Sequence, residues 1–147
     1  MAEQWYARFQ HRNGAWFPGD ATVNGQPCFV VSSFQHDIEM HVGKTTPRIS
    51  IVLNNASTAA ALFANAVLTG ELLPVVELEA VDMVAGRQWT FMKSRFLKAV
   101  IAQANRTGSM VGLLAGQERM VVYYEEMKVV YSTQPAPTPL RGVIRRP

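Results

Sequence analysis

Apolar and polar residues alternate along most of this chain, and a period of two is typical of half-buried β-strands. In the first such stretch, Trp5, Ala7 and Phe9 share one side of an extended backbone. Asn-Gly pairs, which favour tight turns, stand at 13–14 and 24–25. The pattern therefore predicts a chain of antiparallel strands. They are predicted over residues 3–12, 27–42, 48–54, 72–83, 87–104 and 118–132. Residues 27–42 form one long strand or two bent ones, and residues 87–104 form one bent strand or two strands.

One segment, residues 54–70, replaces this alternation with a helical period. Asn55 or Ser57 is expected to cap its start, and Gly70 stands where a helix ends in a left-handed residue. We therefore predict a single helix with one buried side. The apolar stripe at helical spacing consists of Leu62, Phe63, Ala66 and Val67.

The order of these elements predicts a mainly β fold with one helix. The number and length of the strands favour an antiparallel β-barrel of two packed sheets with a flanking α-helix. Residues 43–46 and 105–108 are expected to be loops. We predict one domain over residues 1–132, followed by a proline-rich basic tail over residues 133–147.

Composition narrows the class of protein. The 147 residues are 48% hydrophobic and 17% charged, as in an ordinary folded domain. No apolar run is long enough to span a membrane, so no membrane insertion is expected. The N-terminal residues do not form a secretory leader, so we expect folding in the cytoplasm. Cys28 is the single cysteine and is expected to be a small buried hydrophobe.

The polar stretch 32–41 resembles a metal or acid–base site at first reading, because it holds two histidines, an aspartate and a glutamate. On a strand, however, His36 and His41 point to opposite faces, which disfavours a shared metal ion. Glu77 and Glu79 share a strand face and could form an acid–base pair, but a row facing solvent is the favoured interpretation. We predict no catalytic, metal-binding or cofactor-binding site, and the chain is not expected to be an enzyme.

A small β-barrel that binds a ligand or nucleic acid stays open as an alternative. Aromatic residues near the N-terminus interleave with Arg8 and Arg12, a mixture that can stack on and attract single strands. Core packing is the more common role of such aromatics, so binding of nucleic acid is not expected. The aromatic residues concerned are Trp5, Tyr6, Phe9, Trp16 and Phe17.

Residues 118–131, "ERMVVYYEEMKVVY", resemble the last strand pair of the Hcp family, the tube protein of the bacterial type VI secretion system. Glu118 fits the opening glutamate of that pattern, Tyr124 and Glu125 fit its Tyr-Glu pair, and Tyr131 fits its end. Val129 departs from it, because the family usually has an aromatic residue there.

Earlier segments resemble the same family in the same order. Ser33, Phe34 and His36 match a Ser-Phe-x-His motif, with the apolar Ile38 soon after. An alternating strand, a polar link and a helix follow. Ala66 and Gly70 match the end of that helix. The resemblance covers roughly residues 3–132.

The resemblance implies a structural protein. Six copies would form a ring, rings would stack into a tube, and a contractile sheath would propel it. Expected partners are further copies of the chain, sheath and spike or baseplate proteins, and effector cargo in the lumen. The chain would assemble in the bacterial cytoplasm and leave through the secretion apparatus, without a cofactor.

The resemblance also assigns roles to two parts of the long polar strand. His36 is expected to be a structural residue that forms a hydrogen bond within the barrel or at a subunit contact. The segment after Ile38 would help one ring contact the next, although it is shorter here than in familiar members. The candidate ring-stacking residues are His41, Val42, Gly43, Lys44, Thr45 and Thr46.

Overall fold

The computed structural model describes residues 3–41, 43–55, 59–107 and 117–131, with the backbone alone at residues 39–41, 44, 46, 84 and 105–107. The described residues form a mainly β fold with one helix, as predicted. The elements are β1 (Gln4–Phe9), β2 (Ala21–Val23), β3 (Gln26–His41), β4 (Lys44–Leu53), α1 (Ala60–Thr69), β5 (Leu73–Val84), β6 (Arg87–Thr107), β7 (Gln117–Tyr123) and β8 (Glu126–Tyr131).

The described strand pairs are all antiparallel, and six of the strands close into a ring. Its order is β1-β5-β6-β7-β4-β3, and β1 pairs with β3 to complete it. The two longest strands, β3 and β6, each take part in two sheets. One sheet contains β3, β1, β5, β6 and β8, and the other contains β3, β4, β7 and β6. This arrangement agrees with the predicted pair of packed sheets.

Strand β6 turns the corner between the two sheets. It pairs with β8 as far as Leu97 and with β7 from Val100 onward. Between these stretches Lys98 has a φ of 54°, and the pairing register shifts between Ile101 and Gln103. Such irregularities bend a strand and let it change sheets. The strand also runs to Thr107, so the predicted loop at 105–108 is wrong over its first three residues.

The hairpin of β3 and β4 is longer than predicted. Residues 43–46 were expected to be a loop, but β4 already begins at Lys44, which pairs with His41. The turn is tight around Gly43, whose φ is 78°. Pro47 is tolerated in this strand because, among the described residues, β4 has no neighbour on its second side there.

The helix α1 covers one end of the ring. Phe63 and Ala66 are buried, and Leu62 and Val67 pack against the core, so the predicted stripe is confirmed. The helix begins later than expected. Its N-cap is Ala59, with no side-chain cap hydrogen bond, so the prediction of Asn55 as the cap is wrong. Ser57 lies outside the described residues.

Phenylalanines from four elements or loops fill the core beneath the helix. The ring centroid of Phe63 lies 4.9 Å from Phe9, 5.2 Å from Phe17 and 5.4 Å from Phe29. Because Phe9 and Phe17 are buried, they are not part of an exposed stacking platform for nucleic acid. Cys28 is buried as predicted, and desolvation raises the pKa of its thiol to about 11.

Candidate functional site

The ring of strands opens into an apolar slot at the end away from the helix. β1 begins only at Gln4, and β7 ends at Tyr123, so neither strand extends along the far parts of the β3–β4 and β5–β6 hairpins. The slot has a volume of about 200 Å³. Side chains that line it include Trp5, Phe34, His36, Phe96, Met127 and Tyr131.

Two motifs that are 88 residues apart in sequence meet at this slot. Nε2 of His36 shares a hydrogen bond with the hydroxyl group of Tyr124. Both rings also contact Phe96, with centroid distances of 5.8 Å for His36 and 4.9 Å for Tyr124. Burial raises the pKa of the Tyr124 hydroxyl above its usual value, so the group stays neutral near pH 7. His36 thus forms a hydrogen bond within the fold. That its role is structural stays a prediction.

The neighbouring motif residues on β3 are more exposed. Phe34 packs against Trp5 with a centroid distance of 4.7 Å, yet 39% of Phe34 stays exposed. Ile38 is 62% exposed and lies opposite Pro47. Ser33 is exposed beside the shift in register between β3 and β4. Of these β3 residues, Phe34 lines the slot, and Ile38 leaves apolar surface exposed farther along the same strand.

The helix-end motif is a C-cap. Gly70 has a φ of 67°, and its N–H donates to the carbonyl oxygen of Ala66. The N–H of Glu71 donates to the same carbonyl at 3.1 Å. Ala66 itself is buried against the core. These two motif residues therefore shape the helix end, at the opposite side of the ring from the slot.

The last strand pair carries the remaining motif residues. Glu118 is 4% exposed and lies opposite Leu53. Glu125 stands between β7 and β8, where its N–H donates to the carbonyl oxygen of Leu97 at 3.0 Å. Tyr131 ends β8 and is 75% exposed. The motif thus runs from a buried glutamate to an exposed aromatic residue beside the slot.

Every residue of β8 is exposed, although it forms a regular strand. Among the described residues β8 pairs with β6 alone. Its side chains at Met127, Val129 and Tyr131 line the slot, and Val130 on its other face is 57% exposed. An unpaired apolar edge strand is a template for pairing with another chain.

The open end of the ring has unpaired strand edges on two opposite sides, which we call its two flanks. On one flank, where β7 has left the ring, β8 and residues 44–47 of β4 have free edges among the described residues. On the other, where β1 has not yet begun, residues 32–41 of β3 and 82–84 of β5 have no strand on their second side within the described part of the chain. Two different free flanks on one molecule suit head-to-tail association of identical copies.

The candidate ring-stacking residues lie at the tip of the β3–β4 hairpin. His41 and Lys44 form the last described pair of the ladder, and Thr45 pairs with Met40. Gly43 forms the turn between the strands, and Val42 lies outside the described residues. The hairpin tip extends beyond the closed part of the ring, because β7 reaches β4 only at Arg48.

A buried ion cluster lies on the other face of β5, and here the sequence prediction was wrong. Glu77 and Glu79 do not face solvent, because they are 2% and 0% exposed. Arg8 of β1, 1% exposed, donates from Nη1 to Glu77 Oε1 at 2.9 Å and to Glu79. Its Nη2 donates to the carbonyl oxygen of Val23 at 2.8 Å. Strand β2 thus contacts the cluster through Val23, and none of its three charged side chains is more than 2% exposed.

Further polar groups donate hydrogen bonds to the remaining oxygens of the two carboxylates. Nε of Arg95 donates to Glu77 Oε2 at 2.8 Å. Nδ2 of Asn24 donates to Glu79 Oε2 at 3.0 Å, and the hydroxyl of Thr90 donates to the same oxygen. Each carboxylate therefore has several donors, as burial requires. The arrangement ties β1, β2, β5 and β6 together.

Sequence reasoning named Arg8 only among arginines interleaved with aromatic residues. It missed the pairing with Glu77 and Glu79, because that pairing depends on strand order. Arg8 lies directly opposite Glu77, and Tyr6 lies opposite Glu79. The signal in the sequence was a lone arginine on the second face of an aromatic strand, matched by two glutamates at the spacing of one strand face. That signal could be used only once β1 was placed beside β5.

The described residues contain no group of three or more His, Cys, Asp or Glu side chains placed to hold a metal ion. Among the same residues, no helix has the length and hydropathy needed to cross a membrane.

Comparison with known proteins gives a match in structure alone. No family model matches the sequence, and no curated protein matches it. Hcp1 of E. coli EAEC 042, in a doubly substituted form, matches at a TM-score of 0.73 and 15% identity, over 88% of this chain and 90% of that one.

Two further solved structures agree. Hcp1 of Salmonella typhimurium matches at a TM-score of 0.71 and 18% identity, over 92% of this chain and 90% of its own. A structure described as a type six secretion system protein matches at 0.72 and 20% identity, over 91% and 86%. The match spans nearly the whole of each chain, and we conclude that this protein has the Hcp fold.

Proposed function

We propose that this chain is the tube subunit of a type VI secretion system. Six copies associate head to tail into a ring, and rings stack into the inner tube. The shared Hcp fold over about nine-tenths of the chain is the observation that carries the proposal. A contractile sheath and spike or baseplate proteins are its partners, and effectors travel in its lumen.

The two free flanks support ring formation. A heterologous interface joins one surface of a copy to a different surface of the next, and it closes into a ring when the rotation allows. Here β8 and the β4 edge form one surface, and the β3 and β5 edges form the other. Pairing of these edges in the ring would remove apolar strand edges from water.

The β3–β4 hairpin tip supports the stacking part of the proposal. Residues 44–46 pair with residues 39–41 and extend beyond the ring of strands as an antiparallel ladder, not as a loop. A two-stranded arm held by ladder hydrogen bonds is stiffer than a loop of the same length. We propose that this arm contacts the next ring.

A role without catalysis fits the chemistry of the described groups. The two buried glutamates are engaged by Arg8 and Arg95, and His36 is engaged by Tyr124. These contacts are structural, and the proposal assigns no catalytic step to them. The protein would be made in the cytoplasm and exported through the apparatus that it builds.

Paired variants test the ring and its surface together. We expect negative-stain electron microscopy of the wild type to show rings with an open centre. Tyr131→Asp should abolish them, because Tyr131 is 75% exposed on β8 and the new charge would be buried at the interface. Leu68→Asp is the matched control, since Leu68 is 84% exposed on α1 at the other end of the molecule.

Retention of rings by Leu68→Asp and their loss in Tyr131→Asp would support the proposed interface. A wild type that stays monomeric at high protein concentration would contradict the tube proposal. Rings that survive Tyr131→Asp but not Leu68→Asp would move the interface to the helix.

A further inference from the structure

Three cations share one face of the β6–β8 pair, and two of them lie directly opposite each other. Arg95 pairs in register with Lys128, and Lys93 lies two residues earlier on β6, opposite Val130. Like charges placed opposite on neighbouring strands destabilise a sheet. The arrangement therefore has a cost in the isolated chain that an anionic partner would remove.

The buried carboxylates beneath these cations do not balance them. Glu77 lies 2.8 Å from Arg95 Nε and 3.9 Å from Lys93 Nζ, but it also binds Arg8. Four cations (Arg8, Lys93, Arg95, Lys128) stand against the buried carboxylates of Glu77 and Glu79 and against Glu126, which shares the β8 face with Lys128, a formal surplus of 4 − 3 = +1. This surplus lies at the surface, since Arg95 is 51% and Lys93 30% exposed.

A cleft of about 420 Å³ runs between these cations and the covering turn after β2. Its other lining residues are Asn24, Glu79, Thr90 and Val130. Glu79 is the buried carboxylate that Arg8 already engages, so it does not offset the three cations of this face. None of the described lining residues is aromatic, so the cleft has no platform on which bases could stack. A cationic cleft without aromatic residues is better suited to bind carboxylates than to bind single-stranded nucleic acid.

We propose that this cationic face binds an acidic segment of a partner protein. Cations two residues apart on one strand face are about 7 Å apart, which is the spacing of alternate carboxylates on an extended segment. Arg95 uses Nε on Glu77, and among the described residues its terminal nitrogens have no other hydrogen-bond partner, so they are available to a carboxylate. The inference that the bound segment is acidic rests only on the charges of this face and is independent of the proposed function. That the partner is a transported protein rests on the proposed function.

Fluorescence anisotropy tests the proposal with a labelled decapeptide of alternating glutamate and serine. Its glutamine counterpart and a ten-residue oligothymidine are the comparison probes. The test variant combines Arg95→Gln with Lys128→Gln. The matched control combines Lys98→Gln with Arg119→Gln, which removes the same charge from exposed positions outside the cleft.

We expect the glutamate peptide to bind the wild type, more weakly as salt rises, and the glutamine peptide not to bind. The test variant should lose roughly five- to thirtyfold in affinity, as expected for two partly exposed ion pairs. The control variant should stay within about twofold of the wild type. Lys128→Gln alone should lose part of the affinity and keeps every bond to Glu77, which separates binding from folding.

Equal weakening in the two double variants would overturn the proposal, because it would show attraction by net charge alone. Tighter binding of the oligothymidine with the same dependence on Arg95 and Lys128 would make the face a nucleic-acid site instead. Absence of peptide binding to the wild type would also overturn it. Each result is independent of whether rings form, which is measured separately by particle mass.

Discussion

At the scale of single residues, Arg8 explains how β5 can bury two carboxylates on one face. Its guanidinium group occupies the space between Glu77, Glu79 and the carbonyl oxygen of Val23, so β2 can close over three charged groups. Removal of one partner from a buried ion cluster leaves uncompensated charge, which costs more than the intact cluster contributes. The stability of this face therefore depends on Arg8.

We expect Arg8→Met to lower the free energy of unfolding by about 3–5 kcal/mol, because two buried carboxylates would lose their shared cation. Urea unfolding followed by circular dichroism measures the change. Glu125→Gln is the control, because its ion pair with Lys98 is 3.9 Å long and exposed. It should change stability by about 0.5 kcal/mol or less. Equal stability of Arg8→Met and wild type would show that the cluster contributes nothing.

A second residue-scale prediction concerns His36. Replacement by alanine leaves the Tyr124 hydroxyl with only its long contact to Met127 Sδ at 4.0 Å, which should lower stability by about 1–2 kcal/mol and weaken ring assembly. Gln35→Ala is the neighbour control, since Gln35 is exposed and bonds only to Asp37 among the described side chains. Thermal unfolding and particle mass are the two measurements. A His36→Ala protein that unfolds and assembles like the wild type would contradict a structural role.

At the scale of elements, the sequence predicted the kind of the longer elements better than their ends, and it missed the three-residue strand β2. Alternation identified β4 and β5, and the stripe of Phe63 and Ala66 identified α1. The ends depended on contacts between distant segments. β4 extends back to Lys44 because β3 supplies a ladder, and β6 extends to Thr107 because Gln117 lies opposite.

Alanine substitutions at two glycines distinguish the cost of backbone strain from the cost of a steric clash. Gly70 has a positive φ of 67°, and an added Cβ would have nothing within 4 Å, so Gly70→Ala should cost only the strain of roughly 1 kcal/mol. At Gly19 the same Cβ would lie 2.1 Å from the carbonyl oxygen of Cys28. Gly19→Ala should therefore destabilise the protein more, because backbone must move. Urea unfolding that ranks the two variants in the reverse order would contradict this.

At the scale of the whole molecule, the motifs that resemble the Hcp family lie in different parts of one fold, and no single motif determines that fold. His36 and Tyr124 meet at the slot, whereas Ala66 and Gly70 shape the opposite end. The sequence allowed the prediction that His36 forms a hydrogen bond, but it did not identify the residue that accepts or donates it. It could not place Glu77 and Glu79 inside, because a strand shows which residues share a face but not what covers that face.

The proposed division at residue 132 leads to a prediction for the intact chain. Removal of residues 134–147 should leave the domain folded, because that segment is proline-rich and lacks apolar periodicity. The thermal transition should stay within about 3 °C of the wild type, the shift that roughly 1 kcal/mol produces in a domain of this size. An insoluble truncated protein, or one without a thermal transition, would instead make the tail part of the fold.

Particle mass in solution tests the central claim most directly. Multi-angle light scattering on the full chain should give about 98 kDa, six times the 16.3 kDa of one copy, or multiples of that value for stacked rings. In a closed ring of six copies, the β8 edge of each copy would pair with the β3 and β5 edges of the next, so no edge would stay unpaired. A single species of 16.3 kDa that persists at high protein concentration would contradict the account of this chain as a tube subunit.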